Sequence, residues 1–153
     1  MRETIQLYLD MNIFKRSFDD QSSSRVRLET AAIDIIFDDA SVGKYEFCWS
    51  FVLDYENNLN PNVNRRATAI LLSQRASREI SPNEKINERA KQFEKVNIKS
   101  RDALHLACAE FAGCDYLLTC DDKFLKKARL LGLDLKIMEP VEFVNLMEHQ
   151  NGH

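Results

Sequence analysis

Apolar positions along the chain follow two patterns, short consecutive runs and longer runs with helical spacing. Ile5–Asp10, Phe47–Phe51, Tyr116–Thr119 and Leu133–Met138 are short and apolar, which is typical of strands in a parallel sheet covered on both faces. Helical spacing separates these strands, as in Val26–Val42, where apolar residues recur every three or four positions. The alternation predicts the α/β fold class, a three-layer α/β/α fold with a mainly parallel central sheet of four or five strands.

Capping residues set the predicted ends of the helices. Ser100 is a preferred N-cap, Pro82 suits the first helical position after Ser81, and Gly113 suits a helix end. Lys15–Arg27 is polar and is predicted to be an exposed loop. The predicted helices are Val26–Val42, Val52–Glu56, Val63–Ala76, Pro82–Val96, the segment from Ser100 to Gly113, Asp122–Leu131 and a closing helix from Pro140.

Length and composition predict one globular domain. The chain has 153 residues, of which 44% are hydrophobic and 29% charged, and we expect a single domain over residues 1–148 with a frayed tail at 149–153. The net charge of −3 argues against a surface that binds nucleic acid everywhere, so any such contact needs a local basic patch. No apolar run of membrane-spanning length and no signal-peptide core is present, so we expect a cytoplasmic protein with no membrane partner.

The four cysteines predict buried thiols, because they occupy apolar helix and strand positions without a C-x-x-C pair. A zinc site or a disulfide framework is therefore not expected. They are Cys48, Cys108, Cys114 and Cys120.

Acidic residues stand where predicted strands end. Asp10 and Asp121 directly follow strands, Asp102 lies in the first turn of a helix, and Glu56 follows the second strand by about one and a half helical turns. Parallel strands share one carboxyl edge, the usual ligand-binding edge of an α/β sheet. Two carboxylates about 5 Å apart repel by about 3 kcal/mol at an effective dielectric of 20, so converging acids favour a divalent cation. Oxygen ligands point to Mg²⁺ or Mn²⁺.

Each of these residues also has a structural interpretation. Asp10 or Asn12 can cap the next helix, and Asp102 stabilises the positive end of its own helix. Glu56 can be a solvent-exposed helical residue, and Asp54, two positions earlier, is the other acid that could face the site. His105 lies one turn from Asp102, where it can be a packed, hydrogen-bonded histidine or can touch the site.

Four motifs in this order resemble the PIN-domain nucleases, in particular the VapC-like toxins. They are L-D-M-N-I-F at Leu9–Phe14, S-F-V-L-D-Y-E-N at Ser50–Asn57, R-D-A-L-H-L-A at Arg101–Ala107 and L-L-T-C-D-D-K-F at Leu117–Phe124. The resemblance covers nearly the whole chain. It implies catalytic, metal-binding acids at Asp10, Glu56, Asp102 and Asp121, with Asn12, Ser50 and Thr119 as supporting polar groups and Asp122 at the rim.

The resemblance implies metal-dependent hydrolysis of RNA phosphodiester bonds by the toxin component of a type II toxin–antitoxin pair. The expected cofactor is Mg²⁺ or Mn²⁺, and the expected partners are an RNA substrate, an antitoxin protein and a second copy of the chain. Lys15, Arg16 and Lys123 are the predicted RNA contacts. The alternative is a catalytically inert PIN-fold module that binds RNA or protein. A phospho-acceptor receiver or a phosphatase is disfavoured, because no lysine stands at a strand end where that chemistry needs one.

Overall fold

The sheet has five parallel strands in the order β3-β2-β1-β4-β5. The computed structural model describes residues 4–150 of the chain. The strands are β1 (Ile5–Leu9), β2 (Tyr45–Ser50), β3 (Arg78–Ile80), β4 (Tyr116–Leu118) and β5 (Lys136–Met138).

Eight α-helices accompany these strands in the described part of the chain. They are α1 (Met11–Lys15), α2 (Ser24–Ser41), α3 (Phe51–Asn58), α4 (Val63–Ser73), α5 (Glu84–Lys95), α6 (Ser100–Phe111), α7 (Asp122–Arg129) and α8 (Pro140–Gln150). The predicted α/β/α fold with a parallel sheet is confirmed, and the sheet has the larger of the two expected strand numbers.

Strand β1 is the centre of the sheet. It pairs in parallel with β2, where Ile5 is opposite Tyr45, and with β4, where Leu9 is opposite Leu118. Leu9 and its two predecessors on the strand are fully buried, as expected for a strand covered on both faces. The carboxyl ends of β1, β2 and β4 therefore lie side by side at one edge of the sheet.

Helices cover both faces of the sheet through side chains that alternate along the strands. On one face, Phe47 and Trp49 of β2 pack against Phe14 of α1. On the other face, Tyr8 of β1 packs against His105 of α6, with ring centroids 5.5 Å apart. The second face thus brings polar-tipped side chains beneath the carboxyl edge of the sheet.

Two predicted helix starts are wrong, because a neighbouring residue occupies the N-cap position. Asn83, rather than Ser81, is the N-cap of α5, and its side chain accepts a hydrogen bond of 2.9 Å from the backbone nitrogen of Ile86. The helix consequently begins after Pro82. In α6, Lys99 is the N-cap and Ser100 is the first helical residue.

The predicted loop Lys15–Arg27 is only partly a loop. Lys15 ends α1, a short 3-10 segment covers Arg16–Phe18, and α2 begins at Ser24 with Ser23 as its side-chain cap. Strand β3 was not predicted, since only its last residue, Ile80, is buried.

The predicted end of α6 and the predicted burial of the four cysteines are confirmed. Gly113 follows α6 with a φ of 68°, a conformation that glycine adopts without strain. All four cysteines are buried free thiols. No helix within residues 4–150 is long and apolar enough to cross a membrane. Helix α8 extends to Gln150, so part of the predicted tail is helical and residues 151–153 lie outside the described part.

Candidate metal centre

Asp10 is a buried acid at the point where β1 ends and α1 begins. Its side chain is 9% exposed, and it caps α1 by accepting a 2.8 Å hydrogen bond from the backbone nitrogen of Met11. The capping interpretation of Asp10 is therefore correct. It uses Oδ1, and the same oxygen lies 3.6 Å from Nε2 of His105.

A hydrogen-bonded network joins Asp10 to the end of β4. Thr119 Oγ1 donates to Asp10 Oδ2 at 2.7 Å, and Asn12 Nδ2 donates to the same oxygen at 3.2 Å. Asn12 also accepts from the backbone nitrogen of Cys120 at 3.0 Å, and Thr119 Oγ1 accepts from that of Asp121 at 3.1 Å. Asn12 and Thr119 thus fix the two strand ends, and the acids that follow them, relative to each other.

Glu56, and not Asp54, points toward this edge. The Glu56 side chain is 14% exposed, its Oε1 is hydrogen-bonded to Nε2 of His105, and its Oε2 lies 3.6 Å from a guanidinium nitrogen of Arg101. Asp54 is exposed and accepts a hydrogen bond from the indole nitrogen of Trp49 at 3.4 Å. Asp10, Glu56 and His105 together place one potential ligand atom each within 4.8 Å of one another.

Asp102 lies in the first turn of α6, where the negative charges of the other three acids act on its carboxylate. Burial raises its pKa, and the negative charges of Asp10, Asp121 and Glu56 raise it further, to about 6. Nearby His105 acts in the opposite direction. The other three carboxylates are therefore close enough to oppose the ionisation of Asp102, as the convergence of strand ends led us to expect.

Asp121 lies next to Asp102 and also caps a helix. Its Oδ1 accepts hydrogen bonds from the backbone nitrogens of Lys123 at 3.0 Å and Phe124 at 3.2 Å, at the start of α7. Asp121 and Asp102 line one cleft of about 40 Å³, together with Lys99, Lys123, Lys127, Ile98 and Phe124.

His105 contacts the acid cluster from beneath and is 1% exposed. Burial tends to lower its pKa, but the hydrogen bond to Glu56 and the charges of Asp10, Glu56 and Asp102 outweigh burial, so its pKa is raised. Both interpretations of His105 hold, since it is packed and hydrogen-bonded and it also touches the candidate site.

Ser50, 1% exposed, caps α3 by accepting from the backbone nitrogen of Leu53 at 3.2 Å.

The remaining predicted residues are not all directed at the cluster. Asp122 forms a two-point ion pair with Arg25, with both contacts at 2.8 Å. Arg16 pairs with Asp19 and with the buried Glu29, so it acts within the protein's own ion-pair network. Burial is the main reason that the pKa of Lys15 is lowered. The charge of Glu56 raises this pKa, and the charges of Arg65 and Arg101 lower it further.

The donor set fits a divalent cation. Four carboxylates approach one edge of the sheet. In the described residues, the basic side chains that pair with Glu56 are the buried His105 and the half-exposed Arg101. Carboxylate oxygens are the ligands preferred by Mg²⁺ and Mn²⁺. A cation would relieve the repulsion that raises the pKa of Asp102.

The family model described as PIN domain matches residues 7–130, a span that contains all four acids. The chain belongs to the PIN domain family. A comparison with curated proteins gives no significant match.

Two solved structures share this PIN fold at low sequence identity. The structure of VapBC-1 from nontypeable Haemophilus influenzae has a TM-score of 0.57 and 16% identity, over 89% of this chain and 98% of that one. VapBC2 from Rickettsia felis, bound to a DNA fragment from its promoter, has a TM-score of 0.56 and 12% identity, over 87% of this chain and 97% of that one. At these identities the similarity establishes the fold.

Sequence patterns did not predict two contributors to the site, Tyr8 and Arg101. Tyr8 stands inside a buried strand, where a tyrosine is indistinguishable from a packing residue until its hydroxyl is located. The one feature of the sequence that pointed to a role for Tyr8 was its hydroxyl group, at a position where phenylalanine would fill the same space.

Proposed function

We propose that this protein is a metal-dependent endoribonuclease that hydrolyses RNA phosphodiester bonds. The observation that carries the proposal is the convergence of Asp10, Glu56, Asp102 and Asp121 at the carboxyl edge of β1, β2 and β4. In a PIN domain this arrangement supports nuclease chemistry, because PIN domains are generally nucleases.

The four acids would hold Mg²⁺ or Mn²⁺, which supplies charge neutralisation at the scissile phosphate and makes water more acidic. Asn12 and Thr119 keep Asp10 in place through their hydrogen bonds to Oδ2. Asp102 and Asp121 line the same cleft, and each is a candidate for accepting the proton of the attacking water.

Basic residues on two sides of the cluster suit the phosphates of an RNA strand. Lys99, Lys123 and Lys127 line the cleft beside Asp102 and Asp121. Lys15 lies on the Glu56 side, within electrostatic range of Arg65 and Arg101. Phosphate contacts of this kind supply affinity and register without sequence information. We therefore keep Lys15 and Lys123 as RNA contacts and set Arg16 aside.

The proposed biological context is the toxin half of a toxin–antitoxin pair. Both solved structures named above are VapBC structures, and this chain covers 98% and 97% of the chains that it matches in them. A short reading frame next to this one, whose product co-purifies with the chain, would support the assignment. Purification of an unaccompanied, active nuclease from the native operon would contradict the toxin role and leave the nuclease role standing.

The nuclease proposal is tested by RNA cleavage with Asp10→Asn and Asp121→Asn. Both substitutions remove one carboxylate and keep a polar side chain of similar size, so circular dichroism should remain unchanged while Mn²⁺-dependent cleavage of single-stranded RNA is lost. Asp134→Asn is the matched control, because Asp134 is exposed and precedes β5 at the opposite edge. Full activity of either site variant contradicts the proposal. Absence of divalent-metal binding by the unsubstituted protein favours an inert binding module instead.

A further inference from the structure

A chain of buried polar groups lies directly beneath the acid cluster. Tyr8 Oη is 2.7 Å from Ser50 Oγ and 2.6 Å from His105 Nδ1, and all three side chains are at most 1% exposed. A buried hydroxyl or imidazole is costly unless it is hydrogen-bonded, and an apolar side chain would fill the same space without that cost. The chain therefore calls for an explanation beyond packing.

The hydrogen bonds of this chain have a consistent direction. The Glu56 carboxylate can only accept, so Nε2–H of His105 is the donor in their contact. When the imidazole is neutral, Nδ1 accepts from Tyr8 Oη, and Tyr8 Oη accepts from the Ser50 hydroxyl. When the imidazole is charged, Nδ1–H donates to Tyr8 Oη, and the Tyr8 hydroxyl donates to Ser50 Oγ. Ser50 Oγ in turn accepts from the backbone nitrogen of Leu53. Each buried polar side-chain atom of this hydrogen-bonded series therefore has a partner, and the series ends at the Glu56 carboxylate.

Glu56 needs such support because its other contact is weak. Its Oε2 faces Arg101 at 3.6 Å, and the Arg101 side chain is 51% exposed. Oε1, by contrast, is fixed by an imidazole that is itself held by Tyr8 at Nδ1. His105 Nε2 also lies 3.6 Å from Asp10 Oδ1, so one ring nitrogen lies between two of the proposed ligands.

We propose that His105 is a positioning residue that holds the Glu56 carboxylate beside Asp10, and that Tyr8 and Ser50 fix the imidazole for this role. The inference rests on the proposed function of the acid cluster. In this assignment the carboxylates bind the cation, and His105 acts through Glu56. Removing outer partners of metal ligands typically costs about 10–100-fold in metal affinity or activity.

The contact itself is tested by isotope-edited NMR of the histidine rings in the full-length chain, without metal or substrate. The chain has three histidines, and the signals of His105 are assigned with His105→Gln. We expect a solvent-protected proton on Nε2, and we expect the ring signals to move in Glu56→Gln and in Tyr8→Phe. Tyr45→Phe is the matched control, since Tyr45 packs against Phe143 at the amino end of β2. Ring signals of His105 that do not respond to Glu56→Gln overturn the inference.

The positioning role is tested by Mn²⁺ affinity, measured by calorimetry for three substitutions of His105. The amide nitrogen of a glutamine can take the place of Nε2, whereas that of an asparagine replaces Nδ1. We therefore expect His105→Gln to keep most of the affinity, and His105→Asn and His105→Leu to lose about 10–100-fold. Unchanged affinity in His105→Leu, or an equal loss in His105→Gln and His105→Leu, overturns the inference.

Electron paramagnetic resonance of the Mn²⁺-loaded protein separates positioning from ligation. Without a histidine ligand, the Mn²⁺ spectrum should show no hyperfine coupling to an imidazole nitrogen. Such a coupling, lost in His105→Gln, would make His105 a ligand and overturn the positioning role. If the unsubstituted protein neither binds Mn²⁺ nor cleaves RNA, the proposed function fails, and the NMR experiment still decides whether His105 holds Glu56.

Discussion

The Asp102 carboxyl shows how one side chain can be favourable for its helix and unfavourable for its surroundings. Its position in the first turn of α6 is stabilised by the positive end of the helix dipole. Burial and three neighbouring acids nevertheless raise its pKa from 3.8 to about 6. The folded protein therefore binds the Asp102 proton more tightly than the unfolded chain does. The stability from this proton is complete below about pH 4 and is lost as the pH rises through 6.

Replacing Asp102 with Asn should stabilise the metal-free protein at pH 8 and have little effect near pH 4. The charge that Asn removes is opposed by Asp10, Asp121 and Glu56 only where Asp102 is ionised. Thermal unfolding with a chelator present measures the effect, and each kcal/mol gained corresponds to a rise of about 2–4 °C at this size. Asp134→Asn, at an exposed position, should give no such pH-dependent gain. An equal gain at both pH values would show that the charges do not interact as described.

Single residues were predicted well where the backbone alone determines their place. Asp10 and Asp121 follow strands, so the strand pattern located them. The contact of Glu56 with His105 was not predictable, because it joins residues 49 positions apart and depends on how α3 packs beside α6. The same packing decides between Asp54 and Glu56, which lie on different faces of α3.

At the scale of elements, the start of α5 distinguishes two assignments of its N-cap, Ser81 from the sequence and Asn83 from the structure. Asn83→Ala should lower the free energy of unfolding by about 1 kcal/mol, because it leaves the backbone nitrogen of Ile86 without its acceptor. Ser81→Ala should have a much smaller effect, since Ser81 precedes the cap. Chemical denaturation of both variants measures the difference. A larger loss for Ser81→Ala would restore the start of α5 predicted from Pro82.

Strand β3 could not be predicted from local patterns. It has three residues, two of them exposed, and it forms its pairs only with the edge of β2, where Cys48 is opposite Arg78. Its hydrogen bonds depend on a neighbour about thirty residues earlier in the chain. Elements with a full apolar face, such as α2, were located to within two residues at their starts for the opposite reason.

At the scale of the whole molecule, the net charge is −3, so the proposed binding of RNA depends on local groups of basic side chains. Basic side chains lie on two sides of the acid cluster, and a cation would offset the carboxylates between them. Binding should therefore be local and strongly dependent on salt.

Lys123→Ala should weaken binding of single-stranded RNA and reduce the slope of log affinity against log salt concentration by about 0.7, the loss of one phosphate contact. Fluorescence anisotropy over a range of KCl concentrations measures the slope, in the Asp10→Asn background to prevent cleavage. Lys136→Ala is the control, because Lys136 begins β5 at the opposite edge of the sheet. Equal slopes for Lys123→Ala and the parent protein would remove Lys123 from the RNA path.

Topology explains why the site could be anticipated and why its details could not. The alternation of patterns predicts parallel strands with a common carboxyl edge, but it does not give the strand order. The order β3-β2-β1-β4-β5 places β1 between the strands that lead to Glu56 and to Asp121. That adjacency is what makes four acids from distant parts of the sequence neighbours.

The central claim is that these four acids form one metal centre, and a crystal structure of the protein with Mn²⁺ tests it most directly. The anomalous signal should give a peak at the carboxyl edge of β1, bound by Asp10 and surrounded by Glu56, Asp102 and Asp121, and the peak should disappear in Asp10→Asn. A fully occupied Mn²⁺ site elsewhere, such as at the exposed acids of α2, with no peak beside Asp10, would contradict the claim.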